Sequence, residues 1–274
     1  MHYILLIFLL VLFQPTIVKA FDDSIIPQDW PHQDGKHFII ISSPSINIQQ
    51  SNQVLTKAEE YYDRITSRLG FTRYGNYWTW ENRVKIIFFA NAQEFTNQTG
   101  QPSWSQGFAA SHALSSGGKF IVSFDGQIDF ISSILPHEIG HLILHDFMHQ
   151  QPIPVFFDEG VAQLEEEHQE QAEVIMASLV NNKQHIPFTT IINLIPNSQF
   201  DQRAASIFYA ESLYIVDFLI KTYGSEKFVH LCRLMRDGVN FEAAIIKAYY
   251  PTVTGLDNLE ILWAQYLVIK AGIN

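Results

Sequence analysis

Ile134-Leu135-Pro136-His137-Glu138-Ile139-Gly140-His141-Leu142-Ile143-Leu144 lies midway along a chain of 274 residues, and Phe157-Asp158-Glu159-Gly160-Val161-Ala162 follows shortly after it. On an α-helix two histidines four residues apart share one face, so the imidazoles of His137 and His141 can reach a single metal ion. Zinc lowers the pKa of water to roughly 7, and a carboxylate at Glu138, beside the first histidine, can take the proton and later deliver it to a leaving amine. Glu159, separated from His141 by seventeen residues, would be the third protein ligand. That leaves the fourth tetrahedral position for water or substrate, as in catalytic zinc sites.

Two histidines and a glutamate in this spacing can arise by chance, so the flanking residues matter. Ile134 and Leu135 before the motif and Leu142, Ile143 and Leu144 after it make the apolar setting of a buried helix. Buried histidines and carboxylates need partners to offset their desolvation, and a metal ion supplies them.

Carried by these residues, the chain resembles the gluzincin branch of zinc metallopeptidases, and within it the small bacterial peptidase MA-like domains. The resemblance rests on Leu135 to His141, on Ile153 to Phe157, and on Glu159 to Ala162 opening the next helix. It continues in Tyr209-Ala210-Glu211-Ser212 leading to Lys221-Thr222-Tyr223-Gly224, and in Gly255 to Leu267 around Trp263, and so covers most of residues 37 to 267. It implies a zinc hydrolase with His137, His141 and Glu159 as ligands and Glu138 as base and then acid. It also implies a donor to the developing oxyanion from a downstream helix, where Tyr209 falls and Tyr214 is the alternative. In this branch the peptide substrate lies along the edge strand of the sheet, here expected within Gly107 to Phe124. The aminopeptidases carry Gly-x-Met-Glu-Asn there, whose glutamate grips the free amine. This chain has Gly107-Phe108-Ala109-Ala110-Ser111 instead, which points to an endopeptidase or a peptidase of narrow specificity.

The remaining composition narrows the setting. Tyr3 to Phe13 is an almost unbroken apolar run, and Val18-Lys19-Ala20 ends on a small residue before Phe21-Asp22-Asp23, the pattern of a secretory signal peptide over residues 1 to 20. The run is short for a membrane span of ~20 residues, so cleavage and export are favoured over a retained anchor. Cys232 is the only cysteine, which rules out an intrachain disulfide, and its apolar neighbours Phe228, Leu231 and Met235 make it a small buried hydrophobe. A net charge of −11 speaks against nucleic acid or an anionic membrane as partner. The resemblance implies a peptide or protein substrate.

The order of elements reads as α+β, with a small mixed or antiparallel sheet followed by an all-helical C-terminal part. Residues 21 to 36 form an extended lead-in, 37 to 150 hold the sheet and the motif helix, and 151 to 271 are helical. Strands are expected at His37 to Ser42, Val84 to Ala90 and Lys119 to Phe124. Thr56-Lys57-Ala58-Glu59 reads as a capping box opening a helix that ends at Gly70, and Asn91 opens a short one. Pro136 either starts the motif helix or bends it. Later helices are expected over Gly160 to Asn181, Ala204 to Tyr223, Glu226 to Arg236, Phe241 to Tyr249 and Asp257 to Ala271.

His145 and His149 extend the four-residue spacing, yet the stripe is too long for one ion, so they are read as supporting the ligands from behind or facing solvent. Glu166 is on hand to orient a ligand histidine. Two other readings use the same residues: a zinc-binding but idle domain that holds a peptide, and a zinc amidase acting on a non-peptide or cell-wall amide. Glu138 argues against the first, since a domain that only binds zinc has no use for it.

Overall fold

The computed structural model describes residues 23–72, 78–101, 105–110, 118–127, 129–149, 151–182, 184–196 and 200–270; the expected signal segment, residues 1 to 20, lies outside them. Strands β1 (His32–Asp34), β2 (Phe38–Ser42), β3 (Val84–Phe89), β4 (Gly107–Ala110) and β5 (Phe120–Phe124) form one mixed sheet in the order β1-β2-β3-β5-β4. β2, β3 and β5 are mutually parallel, and β1 and β4 are antiparallel to their neighbours. The inner strands are apolar almost throughout because both faces are covered. Alternation sends Ile86, Phe88 and Ile121 into the main core, and Ile87, Phe89, Phe120, Val122 and Phe124 into a smaller one with Trp30 and Phe95. The sheet therefore begins inside the lead-in, at His32, ahead of the expected start near Lys36.

Helix α1 (Ile48–Arg68) starts eight residues before the expected capping box. Asn47 is the cap, its side chain accepting from Gln49 N–H at 2.9 Å, while Thr56 Oγ1 donates back to Asn52 O within the helix. Glu59 is turned outward to His37, accepting from its backbone N–H and pairing with Nδ1 at 2.6 Å. The Ser/Thr-x-x-Glu spacing is thus mid-helix, with both side chains otherwise engaged. Helix α1 does end at Gly70, with φ of 76°. Helix α2 (Ala92–Thr99) opens at Asn91 as expected, and Glu94 reaches back to Ala90 N–H.

Helix α3 (Leu135–Met148) carries the motif and follows a π-helical turn, Phe130–Ile134. The reason is Pro136, which sits in the first turn and has no N–H for the carbonyl four residues back. That carbonyl, Ser132 O, accepts instead from Glu167 N–H at 2.8 Å. One proline thereby ties the entry of the motif helix to a turn more than thirty residues away.

The expected helix over Gly160 to Asn181 is two helices, α4 (Val155–Leu164) and α5 (Glu170–Asn182). Their break is stabilised from outside. Arg64 donates to Glu165 O, Arg68 to Leu164 O, and the Gln169 amide to Gln163 O and Leu164 O, so the terminal carbonyls of α4 need no further turn. The short α6 (Phe188–Ile191) precedes α7 (Gln202–Tyr223), α8 (Ser225–Arg236), α9 (Phe241–Tyr249) and α10 (Leu256–Lys270), close to the expected bounds. Cys232 is fully buried in α8.

Helix α4 lies between α3 and α7, and two glycines permit it. A Cβ on Gly140 would come within 3.1 Å of Ala162 Cα, and one on Gly160 within 2.2 Å of Ser212 O. Any side chain at Gly160 would force α7 away from α4. Close approach on both sides brings the end of Glu159 to the histidines of α3.

Candidate metal centre

His137 Nε2 and His141 Nε2 face each other at 3.1 Å, and Glu159 Oε2 stands 3.8 Å from the first and 3.9 Å from the second. An ideal tetrahedral zinc with ligand bonds near 2.0 Å sets its ligand atoms roughly 3.3 Å apart. The three atoms bracket that value. The chemistry of the donors fits the same ion.

Each histidine is held through its other nitrogen. His137 Nδ1 pairs with Glu166 Oε1 at 2.8 Å and His141 Nδ1 with Asp158 Oδ1 at 2.8 Å. With each Nδ1–H donated to a carboxylate, both Nε2 atoms are turned to the same point, where each offers a metal its lone pair once the ring is neutral. Two Nε2 atoms 3.1 Å apart need a positive charge between them, supplied by a ring proton or, in its place, by a metal ion. The donor set, two imidazole nitrogens and one carboxylate with an open side, is that of a catalytic zinc site.

The electrostatics agree. Burial works against an imidazolium at His141, but Asp158, Glu159 and Glu138 outweigh it and push its pKa up to about 10. At His137 burial likewise opposes the charge, and Glu166 and Glu159 overcome it. Glu159 is raised by burial against the pull of both histidines, and Asp158 is held below the usual carboxylate range because His141 and His145 overcome its burial. Four carboxylates converge on two histidines, a field that favours a cation.

Glu138 is half-buried in the first turn of α3, and its charge acts on both His141 and Glu159. Tyr209 is half-buried on α7, and its hydroxyl pKa is raised by burial and by the charge of Glu159. Tyr214 belongs elsewhere, under the Lys270 ammonium at 4.1 Å and near Glu173 and Asp217. His149 is the left-handed residue that ends α3 and is exposed. His145 is half-exposed and pairs with Asp158 Oδ2 at 2.8 Å.

Glu166 holds His137 from the turn beyond α4. Asp158 escapes sequence reasoning because adjacent helical residues diverge; the width of the His141 ring lets one side chain take Asp158 and Glu159 on its two nitrogens. His141, His145 and Asp158 also lie close enough to share an ion, yet the hydrogen bonds account for their spacing. A cavity of about 630 Å³ between α1, α5 and α7 shares Glu166 with the centre and none of the three ligands.

A family model for the Peptidase MA superfamily matches residues 79–269, from the turn before β3 almost to the end of α10. No curated protein matches the chain.

Proposed function

This chain belongs to the Peptidase MA superfamily of zinc metallopeptidases, and from that premise we propose that it is an exported endopeptidase using His137, His141 and Glu159 as zinc ligands. The observation that carries the reading is the convergence of two Nε2 atoms and Glu159 Oε2 on one point, with both Nδ1 atoms held by carboxylates.

Zinc, when bound, supplies Lewis acidity towards the scissile carbonyl and makes water acidic enough to ionise near neutrality. Glu138 accepts the proton of the attacking water and hands it to the nitrogen of the leaving amine. Tyr209 donates its hydroxyl hydrogen towards the oxygen that gains negative charge. Asp158 and Glu166 keep the two imidazoles in the tautomer that faces the metal.

The substrate peptide extends the sheet along β4, an edge strand paired on one side with β5. No glutamate stands in Gly107–Ala110, so nothing in the strand fixes a free amino terminus, which favours cleavage within a chain. Export rests on residues 1 to 20 and cleavage after Ala20. No helix among the described residues is long and apolar enough to cross a membrane.

Product mapping by mass spectrometry on a peptide library, with zinc-loaded wild type and Glu138→Gln, tests the reading. Wild type should cut internal bonds and Glu138→Gln should be slower by at least ~100-fold while keeping zinc. Absence of turnover by wild type, or equal turnover by both, would reject it.

A further inference from the structure

Ser133, His137, His141 and His145 are spaced by four residues, and their contacts form a symmetrical arrangement. The inner pair point Nε2 at the metal position and Nδ1 at a carboxylate each. The outer pair hold those same carboxylates by the remaining oxygen: Ser133 Oγ donates to Glu166 Oε2 at 2.6 Å, and His145 Nε2 donates to Asp158 Oδ2 at 2.8 Å.

We propose that Ser133 and His145 are positioning residues, which set the orientation of His137 and His141 through Glu166 and Asp158. This rests on the zinc reading given above. A carboxylate bonded at one oxygen only can turn about its terminal torsion, whose energy wells are broad. A second donor on the other oxygen stops that rotation. Here the second donor comes from the same stretch of chain as the histidine being held, so each circuit closes on itself: α3 to α4 and back for His141, and the π-helical turn to residue 166 and back for His137. Glu166 is further fixed by Glu167 N–H to Ser132 O at 2.8 Å. A metal ligand whose ring plane is set beforehand loses less rotational freedom on binding, and the gain appears as affinity. His145 does this from a half-exposed position, a degree of exposure at which a helix-end histidine would otherwise do little more than favour the helix dipole.

The test is zinc affinity, measured by competition with a chelator, in two double-mutant cycles on the full chain. His145→Ala and Ser133→Ala should each weaken zinc binding by roughly 3- to 10-fold, less than the roughly 10- to 100-fold expected for Asp158→Ala or Glu166→Ala, because they act at one remove. In the Asp158→Ala background His145→Ala should cost nothing further, and likewise Ser133→Ala in the Glu166→Ala background. His145→Gln, whose amide nitrogen can occupy the place of Nε2, and Ser133→Thr, which keeps the hydroxyl, should recover most of the loss. These two rescues read out even if a carboxylate variant fails to fold. Losses that add in the double variants, or outer-pair variants that bind zinc like wild type, would overturn the proposal while leaving the zinc reading intact. A wild type that takes up no zinc would overturn both.

Discussion

Tyr209 is the residue proposed to donate to the developing oxyanion. It comes from α7, its phenol is half-buried, and Glu159 raises its pKa alongside burial, so the hydroxyl stays protonated and able to donate throughout the working pH range. Tyr209→Phe keeps the ring and removes only that donor. If the hydroxyl acts on the transition state, kcat should fall by roughly 10²-fold with KM little changed. A loss confined to KM would make Tyr209 a substrate-binding residue, and unchanged kinetics would make it a packing residue. At this scale His137, Glu138, His141 and Glu159 are legible in sequence because their chemistry sits in short, contiguous motifs. Asp158, Ser133 and the role of His145 are not, since they depend on how α4 crosses α3, which no local spacing reveals.

Among elements, the strands and C-terminal helices are legible from apolar runs and periodicity, whereas errors gather at helix ends. Asn47 in place of Thr56, and the break at residues 165 to 169, are both settled by long-range side-chain bonds: Glu59 to His37, and Arg64 and Arg68 to the end of α4. Helix α7 carries a similar long-range tie. Glu211 is fully buried and accepts from Ile186 N–H with both oxygens at 2.9 Å, while Glu260 of α10 accepts from Phe188 N–H at 2.7 Å. Burial, with a smaller push from Glu260, raises the Glu211 pKa from 4.5 to about 8 despite the Ile186 bond. Between these values the folded chain keeps a proton that the unfolded chain has lost. The stabilisation is therefore fully present below about 4.5 and gone once pH has risen through about 8. Glu211→Gln imitates the protonated form at every pH. Its Tm should match wild type near pH 4.5 and exceed it increasingly up to pH 8; parallel curves would show that Glu211 is ionised throughout.

For the molecule as a whole, sheet and helices meet at the metal position. The π-helical turn delivers α3 from the sheet side, Gly140 and Gly160 let α4 press between α3 and α7, and the Arg64 and Arg68 clamp from α1 holds the turn that supplies Glu166. The α+β class follows from the order of elements, which leaves the sheet mixed or antiparallel until the parallel pairing of β2, β3 and β5 is seen, and the strand at His32–Asp34 is too short and polar to be recognised without its partner β2. Because the ligands come from two helices that pack on each other, metal binding and local order should be coupled. The most direct test is the zinc content of the purified chain by elemental analysis, beside His141→Ala and with circular dichroism as a check on folding. The account predicts one zinc per wild-type chain and its loss from His141→Ala. A wild-type chain that is folded yet metal-free after exposure to zinc would contradict it.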